Sequence, residues 1–235
     1  MSDIVVLLKV IEKTEEVNEP DLTALEFGLR VKKVIGGDVT TISVVTSEDF
    51  VYLSREAYAR GADRAVFVID PEARSRDPFS SSLILTQAVK KVGKPTLLVF
   101  GEKSTDTPSG VLGSLTAGLL GLPHIYFAYK LYEIMKDGLK LTVDLGVPAI
   151  IEIRYPCSVS VASDLLKPRI PSVKEKIAAR RKQAEVWVLK ELGEFPIRDG
   201  LVKVERSKER ERERMIVEGP EELAKMLAKE LGWVS

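Results

Sequence analysis

Two features predict an α/β fold in which a parallel sheet carries helices on both faces. Apolar strand-like runs alternate with helical stretches four times between Ile4 and Phe100, the order that builds strand–helix–strand units. Those runs are mostly continuous in their apolar character, as in strands covered on both sides. A chain of 235 residues with 45% hydrophobic residues can bury a large core and carry an appendage. Residues 1–187 are assigned to the sheet domain and 188–235 to a C-terminal arm.

IVVLLKV, Ile4 to Val10, is the first strand and a central one. After a short acidic loop, Asn18, Pro20 and Asp21 open a helix with Ala24, Leu25, Gly28, Leu29 and Lys32 at spacings of three and four, and Gly36-Gly37 ends it. VTTISVV, Val39 to Val45, is the second strand; Ser47 to Asp49 cap a helix that runs to about Arg60 and stops at Gly61. Ala65 to Ile69 is the third strand, Pro78 to Lys91 the third helix and Thr96 to Phe100 the fourth strand. Beyond Pro123 the pattern changes. Ile125 to Ile134 and Leu139 to Leu145 flank Lys136-Asp137-Gly138, a hairpin signal, and Ala149 to Ile153 and Cys157 to Val161 read as further strands of the sheet. Leu165 to Trp187 reads as a proline-bounded loop into a strongly basic helix, and RSKERERER, Arg206 to Arg214, as a solvated charge run. Gly219-Pro220-Glu221-Glu222 starts a last helix with Leu223, Met226, Leu227 and Leu231 on one stripe, which needs a surface to cover.

Ligand chemistry is concentrated in Gly101 to Pro123, GEKSTDTPSGVLGSLTAGLLGLP, where the fourth strand enters a polar turn and a helix start. Thr105, Asp106, Thr107 and Ser109 are N-cap types, Pro108 suits a first helical turn, and Gly110 and Gly113 admit a ligand or a neighbouring backbone. Unpaired N–H groups and the helix dipole favour an anion there. A capped helix with a small-residue packing face reads the same way. Ligands of such folds lie beyond the carboxyl ends of the strands, the edge that Leu7–Leu8, Val45 and Gly101–Ser109 approach.

Composition narrows the chemistry. Lys plus Arg and Asp plus Glu balance at 35 each, which leaves no basic field for nucleic acid. One cysteine, Cys157, excludes an internal disulfide and any multi-cysteine metal site, and His124 is the single histidine. Both are expected to be structural. There is no Gly-x-Ser-x-Gly elbow and no glycine loop ending in a phosphate-binding lysine, so side-chain catalysis is not expected. The chain enters Ile4 to Lys9 with no basic segment and long apolar stretch before it and has no apolar run of membrane-spanning length, which predicts a cytoplasmic protein.

Four segments resemble the beta subunit of the electron transfer flavoproteins. NEPDLTALE, Asn18 to Glu26, looks like that family's Asn-Pro-Phe-Asp-x-x-Ala-Leu-Glu, and AYARGADR, Ala57 to Arg64, its Ala-x-x-x-Gly-Ala-Asp-Arg. Gly101 to Pro123 matches the family's nucleotide loop and helix in length, in Asp106, Gly110 and Gly113, and in GLLGLP. YPCSVSVASDLLKPRIPS, Tyr155 to Ser172, resembles its Asn-x-Pro-Arg-Tyr-Pro-Ser stretch and is likewise followed by a lysine-rich helix.

The resemblance implies a Rossmann-like, adenine-nucleotide-hydrolase-like domain that pairs with an alpha subunit and passes electrons from a dehydrogenase or NADH-type donor to an acceptor such as quinone or ferredoxin. It implies FAD as cofactor, with AMP as the alternative occupant of the beta-subunit site, and a docking loop for redox partners near Val173. Membrane association would come only through partner subunits. The cofactor-binding residues it carries over are Leu7, Asn18, Asp21 and Val45, then Lys103, Ser104, Asp106, Thr107, Ser109, Gly110, Val111, Leu112, Gly113, Ser114 and Thr116. The chain departs from the family where Asp-Gly-Asp-Thr-x-Gln appears as Asp106 to Val111, losing a carboxylate and an amide, where Leu166 stands for Asn, and where the loop Ile11 to Val17 is short. The other reading is a regulatory module that senses adenine nucleotides without a redox role.

Overall fold

The computed structural model describes residues 3–105, 109–194, 196 and 219–230. Residues 1–200 form one compact unit and 201–235 a second. In the first unit β1 (Ile4–Leu7) is followed by a two-stranded hairpin, β2 (Val10–Ile11) and β3 (Glu16–Val17), and by α1 (Glu19–Ile35). Next come β4 (Val39–Val45), a 3-10 turn at Glu48–Leu53, α2 (Ser54–Arg60), β5 (Arg64–Ile69), α3 (Pro78–Val92), β6 (Leu97–Gly101) and α4 (Leu112–Leu120). The remainder is β7 (His124–Ala128), β8 (Lys130–Ile134), β9 (Gly138–Asp144), β10 (Pro148–Arg154), β11 (Cys157–Val161), α5 (Val173–Ala179) and β12 (Glu185–Val188).

Seven strands form one parallel sheet in the order β12-β5-β4-β1-β6-β11-β7. The period of two in β1 explains its all-apolar sequence. Val6 joins the core with Leu25, Phe27 and Val31 of α1, whereas Val5 joins the opposite core with Ile84 and Val89 of α3. Both faces are therefore covered by helices, as the continuous apolar runs require. The chain first builds outward from β1 through β4 to β5 and then returns to β6 on the other side, which puts the topological switch point between β1 and β6.

Several expectations are corrected. Ile125 to Ile134 is not one strand: Phe127 has φ of 56°, the β11–β7 register shifts between Val159 and Val161, and Tyr129 N–H turns to Thr142 O at 3.1 Å. Ala149 to Ile153 does not extend the main sheet but lies in β10, a strand of alternating exposure in a separate antiparallel sheet, β10-β9-β8. Of the segment after Leu165, only Val173–Ala179 is helical, opened by a capping box between Ser172 and Glu175. Trp187, read as the end of the helical segment, is buried in edge strand β12, where Lys91 Nζ lies 4.3 Å from its ring centre. The expected helix after Ser47 begins as the 3-10 turn, with the Ser47 hydroxyl accepting Asp49 N–H. Arg206 to Arg214 and Leu231 lie outside the described residues. The second unit shows α6 (Pro220–Glu230), with Glu221 and Glu222 in its first turn and Leu223 and Leu227 exposed.

Candidate functional site

At the switch point α1 delivers two polar side chains onto the ends of β1 and β6. Asp21, in the first turn of α1, takes Lys9 N–H at 2.7 Å on Oδ2 and Gly101 N–H at 3.2 Å on Oδ1. Asn18 donates from Nδ2 to Lys103 O at 3.1 Å and accepts Thr105 N–H on Oδ1 at 3.2 Å. Neither side chain caps α1, whose N-cap Asn18 makes no side-chain cap bond. They instead stitch the exit of β1 to the exit of β6, Asp21 reaching a glycine 80 residues further along the chain, and satisfy backbone groups that the sheet ladder leaves open there. Burial pushes the Asp21 carboxyl from 3.8 up to about 7, against the pull of Lys9 N–H, the Asn18 side chain, Gly101 N–H and the Lys9 charge. Gly101 is required here because a Cβ would overlap Asp21 Oδ1 and meet the Pro20 carbonyl carbon at 2.9 Å.

Beyond the clamp the loop leads to α4. Asp106, Thr107 and Pro108 lie outside the described residues. The helix starts at Leu112 rather than at Pro108, with Val111 as N-cap and no side-chain cap. Ser109, Val111 and Ser114 are exposed around this start, and the first N–H groups of a helix have no partner within it. Gly110 has φ of 65°, and a Cβ there would meet Glu102 O and the Tyr126 hydroxyl at 2.7 Å each. Gly113 is pressed on Ser160 Oγ and the Phe100 ring, at 2.6 and 3.2 Å from such a Cβ. Both glycines thus let the loop pack on its own protein.

The structure brings together Asn18, Asp21 and Lys103, and sets Ser104 beside them in the chain. The side chains of others are buried. Leu7 and Val45 are buried in the core, and Val45 O accepts Asp70 N–H at 2.9 Å. Thr116 is buried with its hydroxyl on Leu112 O at 2.8 Å. Sequence reasoning missed Glu102, buried beneath the loop and accepting the Ser163 hydroxyl at 2.9 Å, and Glu12, described below. Nothing local marks either one, because each gains its partner from a distant segment. His124 and Cys157 stand in neighbouring strands of the sheet, β7 and β11. His124 Nδ1 lies 3.0 Å from Ser158 Oγ and burial lowers its pKa from 6.5 to about 4; Cys157 is fully buried.

Two further resembling segments meet each other rather than the crevice. Arg169 donates to Arg60 O at 2.6 Å and Ala59 O at 3.3 Å, tying KPRIPS to the end of α2, while Asp63 takes Val39 N–H at 2.7 Å and Lys32 Nζ at 2.6 Å. Among the described residues no group of three or more His, Cys, Asp or Glu could hold a metal, and no helix is long and apolar enough to cross a membrane.

A parallel sheet covered on both faces, clamped at its switch point and followed by a helix start at the carboxyl edge, defines a Rossmann-like α/β protein. The electron transfer flavoprotein domain matches residues 7–192. The chain is 32% identical over 187 residues to the electron transfer flavoprotein subunit beta of Mycobacterium leprae, covering 76% of this chain and 68% of that one. It is 31% identical over 176 residues to the subunit of the same name from Thermoanaerobacterium thermosaccharolyticum, covering 74% and 65%. The chain belongs to the electron transfer flavoprotein family, on the side of its beta subunits.

Proposed function

We propose that this chain is the beta-type subunit of a two-subunit electron transfer flavoprotein. It holds an adenine nucleotide in the switch-point crevice, pairs with an alpha subunit and carries electrons between a donor and an acceptor in the cytoplasm. The observation that carries the reading is the Asn18–Asp21 clamp, which fixes the ends of β1 and β6 and the loop leading to α4. A nucleotide phosphate would lie at the exposed start of α4, near Ser109 and Ser114, where N–H groups and the helix dipole favour negative charge. A flavin supplies the redox chemistry when bound, and the chain's own residues bind and orient.

FAD is the proposed occupant, because the segment from Ile11 to Val17 is only a short hairpin and leaves little material to close the path a flavin ring needs. Ile170, Val173 and Ile177, exposed around the start of α5, form the proposed docking point for redox partners. The stripe of Leu223 and Leu227 on α6 is proposed to bind the alpha subunit. The test is co-expression with an alpha subunit followed by cofactor extraction. Two FAD per heterodimer is expected; one FAD with one AMP would replace FAD by AMP in this site, and a colourless homodimer would overturn the reading. Deletion of residues 219–235 is expected to lower co-purification of the two chains, and unchanged yield of the complex would remove that arm from the interface.

A further inference from the structure

Across β1 from the loop leading to α4, the carboxyl edge carries a second polar cluster that the proposed function does not use. Glu12 leaves β2 and reaches the first residue past β4. Its carboxylate takes Thr46 N–H at 2.6 Å on Oε1, the Thr46 hydroxyl at 2.9 Å on Oε2, and the Arg74 guanidinium at 2.5 Å. The Glu12 side chain is only 6% exposed, whereas that of Arg74 is 66% exposed. The hairpin tip is tied again by the Tyr52 hydroxyl on Glu15 Oε2 at 2.8 Å, and its base is packed, with Val10 in one buried cluster with Val45 and Leu53.

A backbone N–H, a hydroxyl and a guanidinium converging on one point form a cradle for an oxyanion. Here the oxyanion is part of the protein. A buried carboxylate is tolerated only when paired, and these three donors satisfy Glu12. They also satisfy the cradle, so an incoming phosphate meets a negative charge where it would otherwise find three donors. At the start of α4 the described side chains Ser109, Val111 and Ser114 carry no such charge.

We propose that Glu12 sets the polarity of the crevice: a built-in carboxylate fills an anion cradle made by Thr46 and Arg74, refuses phosphate at the end of β4 and confines a nucleotide's negative charge to the α4 side. The cradle exists independently of what binds there, and only its effect on orientation rests on the nucleotide reading. Emptying it creates a phosphate site. Glu12→Ala should gain a thermal stabilisation that rises with inorganic phosphate or pyrophosphate and is absent in the wild type, with at least tenfold tighter pyrophosphate binding by calorimetry, on the order of one charged hydrogen bond. Glu12→Gln, which keeps an acceptor for Thr46 N–H but lacks the charge, should fall between them, and Glu12→Ala with Arg74→Ala should lose the gain. The proposal is overturned if Glu12→Ala, folded by circular dichroism, shows no phosphate-dependent shift, or if the wild type shows the same shift. AMP titration of the wild type separately tests the nucleotide reading, since its failure leaves the phosphate result on Glu12→Ala intact.

Discussion

Replacing Asp21 by Asn should change the way stability depends on pH. Burial raises the folded-state pKa of this carboxyl from 3.8 to about 7, so between pH 4 and 7 the native state holds a proton that the unfolded chain has released. Stability contributed by this group is then greatest at low pH and falls as pH rises, by about 1.4 kcal/mol per unit and by about 4 kcal/mol across the window. His124 acts with the opposite sign. Its pKa is lowered from 6.5 to about 4 by burial, so the unfolded chain binds a proton that the native state refuses, and stability is lost as pH falls through that range. The two slopes oppose each other in the wild type. Urea unfolding followed by far-ultraviolet circular dichroism from pH 4.5 to 7 should therefore give Asp21→Asn a stability that climbs with pH, against a flatter wild-type curve. The amide also leaves one of the two N–H donors, Lys9 or Gly101, without an acceptor. That cost of about 1–3 kcal/mol is independent of pH, so the slope is the diagnostic quantity. A wild-type-minus-variant difference that stays constant over this range would refute the buried, proton-holding carboxyl.

Gly101→Ala should be destabilised by about 1–3 kcal/mol in the same assay, because its methyl group displaces Asp21 and the first turn of α1; unchanged stability would mean that the clamp is looser than its geometry. Cys157 is buried and its thiol is pushed up to about 12 by burial, so a thiol reagent at pH 8 should label it only as the protein unfolds, in step with the loss of circular dichroism. Rapid labelling of the folded chain would contradict the packing of β11 between β6 and β7.

The sequence by itself determined the repeating strand–helix units up to Phe100, since apolar period, N-cap residues and stopping glycines all act within a few positions. Continuous apolar runs such as IVVLLKV also announced that both faces of the sheet are covered. At the site, Asn18, Asp21 and the loop beginning at Lys103 were legible as elements of a carboxyl edge, and the resemblance brought them into one set. Only the tertiary structure decided what they do. Asn18 reads as a cap, yet it bonds Lys103 and Thr105 because β6 returns beside β1. Gly110 and Gly113 read as room for a ligand or a neighbouring backbone, and Glu102 O, Tyr126, Ser160 and Phe100 are what approach them. The run after Ala149 reads as another strand of the main sheet, yet its alternating burial suits an antiparallel sheet with one solvated face. Glu12 is one acid among several in its loop until the order β5-β4-β1 brings Thr46 and Arg74 within reach. Local propensity acts over one or two turns of chain, whereas a buried polar group is paired by whichever strand end the topology sets beside it, and that neighbour lies tens of residues away.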